Sequence, residues 1–330
     1  MGWNTSLTRL FKDIFLKVPL VCPPMAGASG AELAAQVSLA GGLGFIGAGY
    51  HKDSAWLLSQ LKLAKSYFPS HDHLPIGVGF VAWHLAENTH VIRDMLDQAP
   101  PLCAVWFAFG EAREFAREVK RKWPHCRLFF QVTTVAEALH VKEVADVVVA
   151  QGSDSGGHGA RENSTTVALT AEIADALPDK VVLAAGGLVD GRGLTAALAL
   201  GAAGACMGTR FAVSKESMLH PEKKGLMVEV VDGAETVRTD IFDLLRGQNW
   251  PKEYDGRAVR NEATRGVCSI EELKKGYAIA EKDGDITRAV TWAGTGVGLI
   301  KEILPAGDIV QNISNEALER IKLLGSYVSQ

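Results

Sequence analysis

The 330-residue sequence lacks several features that would place it in a special class of protein. No window of about 18 apolar residues is free of charge, so the sequence predicts no membrane-spanning helix. No block of Lys and Arg stands out against the net charge of −4, which argues against nucleic acid as a partner. Charges at Arg9, Lys12, Asp13 and Lys17 interrupt the N-terminal residues, so we expect no signal peptide.

Cysteines are few, dispersed and odd in number. No pair has Cys-x-x-Cys spacing, so a zinc or dithiol site is not predicted. His71-Asp72-His73 lacks a third ligand, and we expect no metal. Several cysteines fall in apolar, strand-like runs where a buried thiol is the usual state, so we expect a reducing compartment and a cytoplasmic location. The five are Cys22, Cys103, Cys126, Cys206 and Cys268.

Short apolar runs recur along the chain, and each is followed by a segment with helical periodicity. This alternation is typical of βα units with a parallel sheet. An open doubly wound sheet usually has fewer strands and a Gly-rich loop after the first, whereas here the Gly-rich turns come late. We therefore predict an α/β fold, a (β/α)₈ TIM barrel. The predicted strands are Pro19–Pro23, Gly44–Ala48, Pro75–Val81, Cys103–Phe107, Arg127–Thr133, Asp146–Ala150, Val181–Ala185 and Gly204–Gly208.

The alternation stops after Phe211, and this sets the predicted division of the chain. Residues 1–211 are predicted to form the barrel and to bind the cofactor. Residues 212–300 are predicted to form a mainly helical cap over the barrel mouth, because loop residues separate several helical segments. Residues 301–330 are predicted to end in an amphipathic helix that packs back on the barrel.

The segment Gln151-Gly152-Ser153-Asp154-Ser155-Gly156-Gly157-His158 follows the sixth strand, where the active site of such a barrel is expected. Its glycines indicate a loop that approaches a flat ring or a phosphate closely. Histidine titrates near neutrality, so His158 is the candidate base or hydrogen-bond donor. An exposed loop histidine is the alternative interpretation of the same residue.

Two further Gly-rich turns end the seventh and eighth strands, where barrels frequently bind a phosphate. Gly186-Gly187 and Gly208-Thr209 could supply backbone N–H groups to phosphate oxygens. Met25-Ala26-Gly27 follows the first strand and leaves space for a flat ring, although core packing would also explain this methionine. A late loop, Trp292-Ala293-Gly294-Thr295-Gly296, is either a wall of the site or a domain contact.

Together these motifs resemble the nitronate monooxygenase family, formerly called 2-nitropropane dioxygenases. The resemblance spans almost the whole chain. Its motifs are P-M-A-G at 24–27, Q-G-S-D-S-G-G-H at 151–158, A-A-G-G-L at 184–188 and G-A-A-G-A-C-M-G-T-R-F at 201–211. Two departures concern the substrate: Asp154-Ser155 stands where the family has Glu-Ala, and glycine near Gly79 replaces an asparagine often found on strand 3.

The resemblance implies FMN as cofactor and His158 as the active-site histidine. The expected activity is oxidation of alkyl nitronates, and possibly nitroalkanes, by O₂ to a carbonyl compound and nitrite. An NAD(P)H-dependent reductase of enoyl thioesters or quinones on the same barrel is the alternative, and a non-catalytic flavin-binding module is a more distant one. The partners expected are a small-molecule nitronate and O₂, with a monomer or homodimer and no membrane. The residues implied to bind the cofactor are Met25, Ala26, Gly27, Gly79, Gln131, Gln151, Gly156, Gly157, Gly186, Gly187, Cys206, Met207, Gly208 and Thr209.

Overall fold

Eight parallel strands close into a barrel in the order β1-β2-β3-β4-β5-β6-β8-β9. The computed structural model describes residues 2–12, 16–266 and 269–328, so Cys268 lies outside the described residues. The predicted TIM barrel is confirmed, and each predicted strand overlaps a barrel strand. The strands in chain order are β1 Leu20–Cys22, β2 Leu43–Gly49, β3 Leu74–Val81, β4 Leu102–Ala108, β5 Arg127–Val132, β6 Val147–Gln151, β7 Gly157–Ala160, β8 Val181–Ala185, β9 Ala205–Cys206, β10 Thr236–Thr239 and β11 Tyr254–Val259.

Helices follow the barrel strands and cover the outer face of the barrel. The helices in chain order are α1 Ser6–Leu10, α2 Ala31–Leu39, α3 Ala55–Tyr67, α4 Ala82–Glu87, α5 His90–Gln98, α6 Arg113–Lys122, α7 Val135–Val141, α8 Thr166–Ala176, α9 Gly191–Ala199, α10 Gly208–Ala212, α11 Pro221–Glu229, α12 Ile241–Arg246, α13 Ile270–Lys274, α14 Tyr277–Asp283 and α15 Ala306–Gly325. Side-chain caps begin several of them, as at Asp190, whose carboxylate accepts from Gly193 N at 3.1 Å. None of the described helices is long and apolar enough to cross a membrane.

Aromatic rings fill the barrel interior and close its lower end. Phe45, Trp106 and Phe129 are fully buried, and their ring centroids are 5.0 to 5.5 Å apart. Phe11, in the turn that follows α1, packs on Phe129 at 5.9 Å from below. Because the interior is packed with side chains, a ligand can enter only at the opposite end, where the strands end.

A small antiparallel sheet joins the barrel to the cap segment, residues 212–300. Its order is β10-β11-β7, and Gly256 pairs with His158 in its register. The cap segment contains α11 to α14, together with two strands that the sequence did not predict. Those strands are short and carry charged residues such as Arg238 and Asp255, so their apolar alternation is weak.

The final helix α15 packs against α9 and α2 on the outside of the barrel. It buries Ile309, Val310 and Ile313, while its last turns are exposed. The Glu316 carboxylate accepts from Gly191 N at 2.8 Å, at the start of α9. An apolar face and a hydrogen bond between two helices therefore hold α15 in place.

Candidate functional site

A cavity of about 290 Å³ lies where the barrel strands end, and cap residues cover it. Its wall combines backbone-rich loops from the barrel with large side chains from the cap. Thirteen of the fifteen site residues expected from the sequence line it. They are Met25, Ala26, Gly27, Gln131, Gln151, Gly156, Gly157, His158, Gly186, Gly187, Cys206, Gly208 and Thr209.

Gly79 and Met207 are the two expected residues outside this wall. A Cβ at Gly79 would lie 2.2 Å from Cγ of Pro24, so this glycine accommodates the proline ring and does not face the cavity. Met207 is fully buried among residues such as Leu20 and Phe211, on the side of the barrel that faces the helices. Side chains alternate along a strand, so Met207 points away from the cavity that its neighbour Cys206 lines.

His158 lies on β7 and is paired with a carboxylate that comes from the cap. Its Nε2 is 2.9 Å from Oδ1 and 3.0 Å from Oδ2 of Asp243, on α12. The two side chains are only 7% and 5% exposed. An ionised Asp243 can only accept, so Nε2 carries a proton and Nδ1 is the nitrogen left to accept one. The exposed-loop interpretation of His158 is wrong for this structure.

Trp250 covers the same histidine ring. The two rings stack with centroids 3.7 Å apart and an angle of 9° between their planes. Trp250 is itself held by edge contacts with Tyr50, Trp83 and Phe109, at 5.2 to 6.1 Å. The imidazole is thus fixed on one face by an indole and at one edge by a carboxylate.

Two glutamines connect the barrel interior to the histidine strand. Gln131 Nε2 donates to Gln151 Oε1 at 2.8 Å, and Gln151 Nε2 donates to the carbonyl of His158 at 3.2 Å. Both side chains line the cavity. The chain of hydrogen bonds orients their amides, so a ligand meets fixed donors and acceptors at this wall.

Polar groups from the cap line the opposite part of the cavity. Lys223 Nζ is buried and pairs with Glu281 at 2.7 Å, and Arg246 lines the same region. Tyr50, which follows β2, lines the cavity as well. Burial raises the pKa of its hydroxyl; the charge of Arg246 opposes this rise and the charge of Asp243 adds to it. Tyr50 therefore presents a neutral hydroxyl to the cavity.

The late loop is both a wall of the site and a contact with the barrel loops. Trp292 lines the cavity, and Thr209 Oγ1 accepts from Gly294 N at 3.0 Å. A Cβ at Gly156 would lie 2.4 Å from Gly294 N, so only glycine permits this approach. This loop therefore determines the position of the turns after β6 and β9.

Asp154 and Ser155, which depart from the family pattern, have separate roles. The Asp154 carboxylate accepts from Thr166 N at 2.9 Å, at the start of α8. Ser155 lines the cavity, and its Oγ is buried without a hydrogen-bond partner among the described residues. Asp154 is thus structural, while Ser155 presents a free polar group to a ligand.

Sequence reasoning missed the residues that the cap contributes, above all Asp243 and Trp250. Asp243 is 85 residues from His158 in the chain and lies in a short helix without a motif. Only the pairing of β7 with β11 brings the segment that carries Asp243 and Trp250 over the barrel. The Trp292 loop was visible in the sequence because of its small residues, and its two roles were stated there as alternatives.

Comparison with known proteins assigns the chain to a family. The family model described as nitronate monooxygenase matches residues 8–69 and 71–316. The chain belongs to the nitronate monooxygenase family. A nitronate monooxygenase of Neurospora crassa is 37% identical, over 94% of this chain and 92% of that protein. A second, from Metarhizium robertsii, is 36% identical over 95% of each chain. The chain is thus related over nearly its full length to flavin-dependent oxidoreductases and is itself such an enzyme.

Solved structures of several oxidoreductases superpose on this chain over nearly its full length. FabK from Thermotoga maritima superposes with a TM-score of 0.82 at 30% identity, covering 99% of this chain and 100% of FabK. A nitroalkane oxidase from Streptomyces ansochromogenes superposes with a TM-score of 0.79 at 28% identity, covering 95% and 99%. The enoyl reductase domain of MlnA from Bacillus amyloliquefaciens, at 11% identity and a TM-score of 0.75, shares the fold.

Proposed function

We propose that this enzyme uses FMN to oxidise alkyl nitronates with O₂, giving a carbonyl compound and nitrite. The observation that carries the proposal is the buried His158–Asp243 pair beside a glycine-lined cavity. Relatives named nitronate monooxygenase and a neighbour named nitroalkane oxidase support this chemistry. A neutral nitroalkane is a further candidate substrate, because His158 could remove its α-proton.

The cavity wall leaves space that a flavin could occupy. A Cβ at Gly208 would meet nothing closer than 3.6 Å, and a Cβ at Gly27 or Gly157 nothing within 4 Å. Packing within the protein therefore does not fill the space beside these residues, and a bound group can. Ser155 Oγ adds an unpartnered polar group, with no acceptor or donor found in the described part of the chain.

The residues that would hold FMN fall into three groups. Met25, Ala26 and Gly27 would lie against the isoalloxazine ring, and Gln131 and Gln151 would bind its polar edge. The backbone-rich turns after β6, β8 and β9 would hold the ribityl chain and phosphate, since glycines let N–H groups reach phosphate oxygens. These turns contain Gly156, Gly157, Gly186, Gly187, Gly208 and Thr209, and Cys206 at the end of β9 lies beside them.

Bound FMN would supply the redox chemistry, as the acceptor of electrons from the nitronate. The side chains of the protein have the simpler tasks of binding and proton handling. With Nδ1 protonated as well as Nε2, His158 would donate a hydrogen bond from Nδ1 to the negative oxygens of the nitronate. With Nδ1 unprotonated, it would take the α-proton of a nitroalkane there. Asp243 and Trp250 would keep the ring in one orientation, and the aromatic side chains of the cap would exclude water.

The proposal is tested by the visible spectrum of the purified protein and by O₂ uptake with ethyl nitronate. A flavin spectrum, O₂ consumption and nitrite release are expected. A flavin spectrum without uptake, combined with anaerobic bleaching by NADH or NADPH, would assign the protein to the reductases instead. No turnover with nitro compounds, quinones or enoyl thioesters would leave a flavin-binding module.

His158→Asn tests the assignment of the base. We expect nitroalkane turnover to fall by about 10²–10⁴-fold, while much of the nitronate reaction and the flavin content remain. Steady-state rates on nitroethane and on ethyl nitronate are to be compared in the same preparation. Equal loss on both substrates would contradict the assignment of His158 as the base.

A further inference from the structure

A second pocket lies beside the central cavity, between the ends of β4 and β5 and the helix α7. Its volume is about 410 Å³. Its apolar lining includes Phe109 and Tyr254, which are partly exposed, above Phe107, Phe130 and Val132, which are almost fully buried. Exposed residues of α7, among them Ala136 and His140, form its rim, so this outer pocket opens to solvent.

The central cavity and the outer pocket share two wall residues, Phe109 and Gln131. Phe109 is the only residue other than glycine with a positive φ in the described part of the chain, at 62°. A phenylalanine rarely adopts this left-handed conformation, so the neighbouring structure must hold it there. Its carbonyl accepts from Trp83 N at 3.0 Å, and Gly110 follows with φ of 124°.

This backbone conformation places the Phe109 ring between two aromatic residues. The ring meets Trp250 at 5.2 Å and Tyr254 at 5.3 Å, both edge-on. Trp250 lines the central cavity and Tyr254 lines the outer pocket. The Phe109 side chain is thus the partition between the two spaces.

Glu111 and Glu137 are the two carboxylate residues that line the outer pocket. Glu111 bonds with Arg113 and His140, and these hydrogen bonds lower the pKa of its carboxyl to about 2. Glu137 lies on the same rim and accepts from Thr133 N. Arg113 is already paired with Glu111, and no lysine or arginine is among the described residues that line the pocket. A carboxylate-bearing group would therefore find no unpaired lysine or arginine there, and an apolar, uncharged chain suits the lining better.

We propose that the outer pocket binds the apolar substituent of the substrate and that Phe109 is the specificity-determining partition in front of it. This inference rests on the proposed nitronate oxidation. The nitronate head stays beside His158 in the central cavity, and a long alkyl chain reaches the outer pocket when the Phe109 ring turns aside. Short substrates occupy the central cavity alone.

The test compares kcat/KM for octyl nitronate with kcat/KM for ethyl nitronate, using the flavin-loaded enzyme. Ala136→Trp fills the outer pocket from an exposed helix position, so the octyl-to-ethyl ratio is expected to fall about tenfold or more. Phe109→Gly removes the partition and relieves its backbone conformation, so the ratio is expected to rise. Ala196→Trp, at an exposed position on α9, is the control and is expected to keep the wild-type ratio.

An unchanged ratio in both Ala136→Trp and Phe109→Gly would overturn the inference. Absence of ethyl nitronate turnover in the wild type would instead overturn the proposed function. In that case a binding measurement tests whether the outer pocket takes an apolar chain. Calorimetric titration with 1-octanol is expected to show binding to the wild type and to Ala196→Trp, with loss in Ala136→Trp. Equal binding to all three, or no binding to the wild type, would overturn the assignment of the pocket.

Discussion

Some glycines of the barrel are required by packing and others are not. The distance from an added Cβ to its nearest neighbours distinguishes the two kinds. At Gly44 in β2 the Cβ would be 2.2 Å from the carbonyl oxygen of Ala34, so the approach of α2 to the sheet requires glycine. At Gly208 the nearest atoms are 3.6 Å away, which is ordinary contact. The fold therefore does not require glycine at 208, and we attribute this glycine to the proposed FMN site.

This distinction predicts opposite effects of two alanine substitutions. Gly208→Ala should leave the stability of the cofactor-free protein nearly unchanged and weaken FMN binding, because the methyl group enters the cavity. Gly44→Ala should lower the free energy of unfolding by about 1–3 kcal/mol, because it overpacks the contact with α2. Urea unfolding without cofactor and fluorescence titration with FMN measure the two quantities. Normal FMN affinity in Gly208→Ala would contradict the assignment.

Asp243 is predicted to act through His158, as a positioning residue. The amide of Asp243→Asn can donate to Nε2 and so favours the tautomer with the proton on Nδ1, which cannot accept the α-proton there. Nitroalkane oxidation should therefore fall at least about tenfold, with normal flavin content. The control is Asp240→Asn, since the Asp240 side chain is exposed and its carboxylate pairs with Arg161. The pH profile of kcat/KM on nitroethane should change in Asp243→Asn alone. An unchanged rate and profile would show that the carboxylate is not needed.

At the scale of elements, the sequence predicted the barrel strands well because they are buried on both faces. β4 is buried at every position, and such continuous apolar runs are easily recognised. The strands β7, β10 and β11 carry glycines and charged residues and were missed for that reason. The cavity loops were predictable because they are rich in glycine, whereas the cap residues meet them only through long-range pairing.

The packing of α15 against the barrel gives a prediction at this scale. Ile313→Ala should lower the free energy of unfolding by about 2–5 kcal/mol, because the side chain is almost fully buried against neighbouring helices. Lys322→Ala, on the exposed last turns, is the control and should change it by no more than about 0.5 kcal/mol. Chemical denaturation measures both. An equally small change in the free energy of unfolding for both variants would mean that the packing of α15 contributes little to stability.

For the whole molecule, the two ends of the barrel have different roles. Phe11 and the interior aromatic rings close the lower end, and the cap closes the upper end over the cavity. A ligand held between barrel and cap contacts both and binds only the folded state. Cofactor binding should therefore stabilise the entire chain.

Removal of the cofactor is predicted to lower the free energy of unfolding, because FMN binds the folded state and not the unfolded chain. FMN at a hundredfold excess over its Kd should add about 2.7 kcal/mol to the free energy of unfolding. Calorimetric melting with and without added FMN measures this as a rise in Tm that grows with FMN concentration. Riboflavin, which lacks the phosphate, is the matched ligand and should raise Tm less. Equal shifts for both would argue against a phosphate site in the turns after β8 and β9.

The histidine and its carboxylate belong to different parts of the chain, β7 and α12, joined across the small sheet. This arrangement limits how relatives can exchange parts. A chimera that takes residues 212–300 from another family member also replaces Asp243 and Trp250, both neighbours of His158. A recombined enzyme would keep its barrel and flavin turns yet lose the orientation of its base, unless the donor segment supplies an acid and an indole at these two places.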